Sequence, residues 1–132
     1  MPNFEGIAGI EAAARFLTEE GMDQVAAAES EVFGRLLTGL QSIDGVTVWG
    51  SQTLDHRVPT AAFTIAGVHP AEASKALAAR KIAVWDGHNY AVEVVDQLGL
   101  ADSGGVVRAG ISRYVEQPDV DRLLTAVADL AR

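Results

Sequence analysis

Over residues 5–20 the apolar side chains Ile7, Ile10, Ala14 and Leu17 recur at helical spacing, and Val25, Val32, Leu36 and Leu40 resume the rhythm after an interruption. Gly21 supplies the interruption, since glycine adopts a left-handed helix terminus without a Cβ clash; two helices, about 5–20 and 22–41, are predicted. Asp44-Gly45 reads as a turn, Val46 to Trp49 as a short strand, and the polar stretch Gly50 to Pro59 as a surface loop. Alternation at Ala61, Phe63 and Ile65 predicts a strand with one buried face. His69-Pro70 marks the start of a helix through AEASKALAARK, because the first turn leaves proline's missing N–H without consequence. Ile82 to Trp85 reads as a strand, Asp86-Gly87 as a tight turn, and Tyr90 to Leu98 as a short helix with Val92, Val95 and Leu98 on one side, closed by Gly99. After Gly104-Gly105, the strand Val106 to Ile111 puts Val107, Ala109 and Ile111 on one face and Arg108 on the other. Pro118, with Asp119 and Asp121 in the positive first turn, opens a final helix carrying Leu123, Leu124, Val127 and Leu130.

The order ααββαβ(α)βα predicts one α+β domain over residues 1–132, a two-layer sandwich in which helices cover a small mixed or antiparallel sheet. Hydrophobic residues make up 48% of the chain but aromatic ones only 6%, so the core is built from small aliphatic side chains. A net charge of −8, from 18 acids against 10 bases, leaves no basic stripe for nucleic acid. No apolar run approaches the roughly 20 residues of a membrane span, and MPNFEGIAG lacks the features of a secretory signal. The expectation is a cytoplasmic protein with neither nucleic acid nor membrane as partner. The absence of cysteine excludes disulfides, zinc-thiolate sites and a thiol nucleophile from these residues.

No GxGxxG, GxxxxGK[ST] or GxSxG spacing occurs. His56, His69 and His88 lie far apart without a supporting acidic pattern, so no metal site is expected, and His69 is explained as a helix-start residue. His88 follows the Asp-Gly pair, where it is either a solvated turn residue or a side chain held at a cleft. Arg108 has small neighbours in Ala109 and Gly110 and needs an anion; the pattern alone slightly favours an internal ion pair over a ligand.

Three stretches, NFEGIAGI at 3–10, VWDGHNYA at 84–91 and GGVVRAGISRY at 104–114, resemble in order and spacing the class V aminotransferase superfamily, especially its cysteine desulfurase-like branch. RVPTAAFTIAG at 57–67 and PDVDRLLTAVADL at 118–130 extend the resemblance over essentially the whole chain. It implies the C-terminal small domain of a homodimeric fold-type I enzyme whose missing large domain holds pyridoxal 5'-phosphate on a lysine. The helices at about 5–41 would lead from that domain and pack partly against it, so exposed apolar surface is expected. Lys75 and Lys81 do not match the cofactor lysine, hence no covalently bound cofactor and no activity are expected of these residues alone. The family's Gly-Thr before the first motif, whose threonine helps bind the cofactor phosphate, would fall at or before Met1.

By the same resemblance, Arg108 matches the arginine that binds the α-carboxylate of a small amino-acid substrate. Asp86, Gly87, His88, Asn89 and Tyr90 match the active-site loop, with Tyr90 at the position of the persulfide-forming cysteine. A phenol cannot replace a thiolate as sulfur acceptor, so transamination, elimination, epimerisation and an atypical desulfuration all stay open. Asn3 and Phe4 are candidates for cofactor contact. RYVEQ at 113–117 departs from the HYNT-like run of relatives and leaves Arg113 and Glu116 without a role. The competing expectation is a free-standing α+β regulatory module that binds an amino acid or other carboxylate through Arg108.

Overall fold

In the computed structural model, which describes residues 2–132, the chain runs through α1 (Phe4–Glu20), α2 (Met22–Gln41), β1 (Val46–Trp49), β2 (Thr60–Ile65), α3 (Pro70–Ala79), β3 (Trp85–Gly87), α4 (Val92–Gln97), β4 (Val106–Gly110) and α5 (Gln117–Leu130). Local chemistry sets the boundaries. Asn3 Oδ1 accepts from the Gly6 N–H at 2.9 Å to cap α1, and Gly21, at φ 80°, ends it. His69 Nδ1 accepts from the Ala71 N–H at 3.3 Å and caps α3, the helix-start role expected of it. Glu116, unassigned from the sequence, begins α5: its N–H donates to Asp119 Oδ2 at 3.2 Å.

The strands form one antiparallel sheet in the order β1-β2-β4-β3. Its register lines up Val48, Phe63, Val107 and Asp86 in one row and Trp49, Ala62, Arg108 and Trp85 in the next. Successive rows point to opposite faces. Phe63 and Val107 enter the core with Phe33, Leu36 and Leu40 of α2, Leu77 of α3, and Val120 and Val127 of α5. The strand residues in that core all belong to one face, so α2, α3 and α5 form the second layer and the Trp49 to Trp85 row looks away from them.

Two expected boundaries are corrected. The strand anticipated over Ile82–Trp85 begins only at Trp85 and takes in Asp86 and Gly87, which had read as a turn. The ladder with β4 opens at the Trp85–Arg108 pair, whereas Ile82 and Val84 spend their apolar side chains packing against the core. The helix anticipated from Tyr90 starts at Val92 because Asn89 and Tyr90 take left-handed φ of 50° and 62°. Of its apolar set only Val95 is buried, while Val92 and Leu98 stay exposed.

Helix α1 buries no residue: Phe4, Ile7 and Ile10 are 68%, 58% and 73% exposed. Its last turn is clasped by Arg113, from the connection between β4 and α5. Arg113 Nη2 lies 2.5 Å from Glu20 Oε2, and the guanidinium lies over the rings of Phe16 and Tyr114 at 4.8 and 5.2 Å. Arg35–Asp121 at 2.5 Å ties α2 to α5, and the guanidinium holds the Asp121 carboxyl below its ordinary range. Among the described residues no helix is long and apolar enough to cross a membrane.

A candidate carboxylate site on the open sheet face

Arg108 stands at the centre of β4 on the face away from the helices and is exposed. Among the described residues it makes no ion pair and no side-chain hydrogen bond, so the internal ion pair favoured by the pattern alone is not formed. Its planar fork is free for a carboxylate, which it can grip through both oxygens. Across the strands it is flanked by Ala62 on β2 and by Trp85 on β3, with Trp49 beyond Ala62. Trp49 Nε1 donates to Thr64 Oγ1 at 3.1 Å, which holds that indole down. Trp85 has no such tether and is 64% exposed.

The 86–90 segment follows directly on Trp85, the β3 partner of Arg108, with Asp86 and Gly87 opposite Val107 and Val106 toward the start of β4. The Tyr90 N–H donates to His88 Nδ1 at 3.1 Å, so a neutral His88 carries its proton on Nε2. Asn89 Nδ2 donates to Gly87 O at 3.1 Å, while Asn89 Oδ1 is buried without a partner. Tyr90 is 95% exposed and meets His88 edge-on, ring centres 6.4 Å apart. Consecutive left-handed residues other than glycine store backbone energy, a trait of segments held for function rather than for packing. Asp86 does not join this group: it pairs with buried Val107, on the face opposite Arg108.

Gly105 makes the approach of this segment possible. At φ 83° it sits where side chains are disfavoured, and a Cβ there would overlap Gly87 O and reach 3.0 Å from His88 N. Gly105→Ala should therefore cost about 1–3 kcal/mol and push the 86–90 segment away from β4. Amide shift changes centred on Gly87–Ala91, with the α2 resonances unmoved, would show this; a variant as stable as the parent would refute it.

The other candidates lie elsewhere. Asn3 spends its amide oxygen on the α1 cap, and Phe4 is an exposed residue of that helix. Lys75 belongs to α3 and Lys81 follows it, in the helix layer on the far side of the sheet. A cleft of about 180 Å³ lined by Ile82, Ile111, Val115 and Arg122 does not include Arg108. Trp85 was not singled out from the sequence because alternation gives the face of each residue on its own strand, whereas its place beside Arg108 depends on a pairing register absent from a single sequence.

The family model described as aminotransferase class-V matches residues 1–123. The probable cysteine desulfurase 2 of Mycobacterium leprae is 32% identical over 126 residues, 96% of this chain and 29% of that protein. A cysteine desulfurase of Escherichia coli O157:H7 is 28% identical over 131 residues, 99% of this chain and 31% of that protein. Among solved structures, the apo cysteine desulfurase of Thermococcus onnurineus NA1 matches at a TM-score of 0.91 with 27% identity, covering 99% of this chain and 32% of that one. The cysteine desulfurase CsdA of Escherichia coli, as its S-sulfonic acid, matches at 0.84 with 27% identity, covering 99% and 31%. The chain thus spans under a third of the length of each of these proteins. Matched over nearly all its residues by one family model, and following the backbone of two cysteine desulfurases, it belongs to the class-V aminotransferase family.

Proposed function

We propose that these residues are the substrate-gripping small domain of a pyridoxal-phosphate enzyme that acts on an amino acid, with Arg108 holding the α-carboxylate. The observation that carries the reading is an unpaired, exposed arginine at the centre of an otherwise finished sheet. Its fork is free to take an anion. The relatives' extra length supplies room for the rest of the site, and the bare apolar face of α1 suits contact with that larger domain.

The cofactor itself is not matched by groups here. The open face carries no lysine among its paired residues, Lys75 and Lys81 lie in the other layer, and Asn3 is engaged as a cap. Holding the cofactor then falls to the large domain. This chain's contribution is orientation: a fork on a rigid strand fixes both carboxylate oxygens, which sets the direction of the remaining substituents at the α-carbon. In this reading His88 and the Tyr90 hydroxyl, on the segment that follows β3, are the groups of this chain that could carry a proton. With no cysteine among its residues, the domain has no sulfur acceptor to offer.

Calorimetric titration of the 132-residue chain with amino acids tests this. Binding weaker than millimolar is expected, because one exposed ion pair contributes only about 0–1 kcal/mol when most of the pocket lies on another domain. Micromolar binding that vanishes in Arg108→Ala would instead establish a self-sufficient amino-acid sensor.

A further inference from the structure

We propose that Trp85 is a specificity-determining residue of this site: a ligand held through its carboxylate by Arg108 lays a branched aliphatic or aromatic side chain against the free indole of Trp85. The proposal rests on the Arg108 reading above and narrows it. It also departs from the small amino acid that the sequence resemblance implies.

The starting point is register. Trp85 and Arg108 are direct partners across the antiparallel pair of β3 and β4, so their Cβ atoms stand about 4.5–5.5 Å apart on the same face. A carboxylate on the guanidinium therefore places the ligand's next carbons within reach of the indole. Trp85 is 64% exposed and its indole makes no hydrogen bond among the described residues, whereas that of Trp49, in the same row, is tied to Thr64. Nor does Arg108 lie over the Trp85 ring, although Arg57 and Arg113 each stack over an aromatic ring at 4.8 Å. A cation and an indole set side by side on the sheet surface, neither satisfied by the other, present a ligand with an ionic contact and an apolar contact.

The residues around Arg108 on this face are small. Ala62 flanks Arg108 on the other side, and Gly110, two residues along β4, faces the same way. Gly110 is not required by its backbone, since its φ lies outside the left-handed range; a Cβ there would meet only Thr60 Oγ1 at 3.5 Å and Pro59 O at 3.9 Å. A missing side chain that the fold does not demand is space for something else. Covering the indole with hydrocarbon removes apolar surface from water, and a planar substituent adds the preference of aromatic faces for one another.

The test is a nuclear magnetic resonance titration of the chain to high ligand concentration at constant ionic strength, following the Trp85 indole N–H and the Arg108 Nε–H. The probes are acetate, isocaproate, hydrocinnamate and, as the uncharged control, hydrocinnamyl alcohol. Both signals should move with isocaproate and hydrocinnamate, whose apparent affinity should exceed that of acetate by about threefold or more, while the alcohol is weaker than either. Trp85→Ala should reduce both ligands to the acetate level with the Arg108 signal still responding, and Trp85→Phe should keep part of the preference. Trp85 is exposed, so both variants should fold. If acetate binds as well as hydrocinnamate, or the preference survives in Trp85→Ala, the proposal is overturned while the Arg108 reading stands. Silence of Arg108 toward every carboxylate overturns the Arg108 reading, and the proposal with it.

Discussion

On the proposed function, Arg108→Ala in a polypeptide that joins this chain to a lysine-bearing large domain should lower kcat/KM for an amino-acid substrate by roughly two to three orders of magnitude. The magnitude follows from the fate of the ligand's charge. In a closed, water-poor site a carboxylate that loses its partner costs about 2–5 kcal/mol, far more than the same pair exposed to solvent. Most of the loss should appear in KM, since the proposed grip is on a group that does not react; a fall in kcat would mean that orientation also suffers. Arg108→Lys should lie between, keeping the charge but not the planar fork. Because Arg108 is exposed and unpaired, the substitution should leave stability within about 0.5 kcal/mol, so a catalytic defect would not reflect unfolding. Unchanged kcat/KM in Arg108→Ala would remove the central element of the proposed function.

Phe63→Ala should produce the largest loss of stability, about 3–5 kcal/mol. Phe63 is 0% exposed and sits in the middle of the sheet between Val48 and Val107, facing the helix layer. Its removal opens a void where strands and helices meet, and the surrounding backbone ladder prevents collapse. Against a total of about 5–15 kcal/mol for a typical domain, this loss takes much of the margin. Urea unfolding should show an earlier midpoint with an unchanged slope. A shift below about 1 kcal/mol would mean that the core repacks around the gap.

Much of this architecture was legible because its signals are local. Gly21, the His69-Pro70 pair and the alternation around Phe63 act within a few residues of themselves, and each places an element correctly. The outward direction of Arg108 follows from period-two alternation alone. What escaped depends on distant partners. The start of β3 is decided by where β4 offers pairing, not by the β-favouring run Ile82–Val84, which serves the core instead. The start of α4 is decided by left-handed Asn89 and Tyr90, which no helical spacing announces. Arg113 and Glu116, left without roles by the family pattern, turn out to clasp α1 and cap α5. The clasp is visible only once the chain has folded back, whereas the cap is a local Glu116–Asp119 pairing whose spacing was open to reading.

The clasp has a mechanical consequence. The segment from Ile111 to Glu116 continues directly from the strand that carries Arg108, and it also carries the guanidinium that seizes the end of the first helix. That short span would serve as a shared fulcrum: a tilt of the leading helix that keeps the clasp intact has to be taken up at the strand's end.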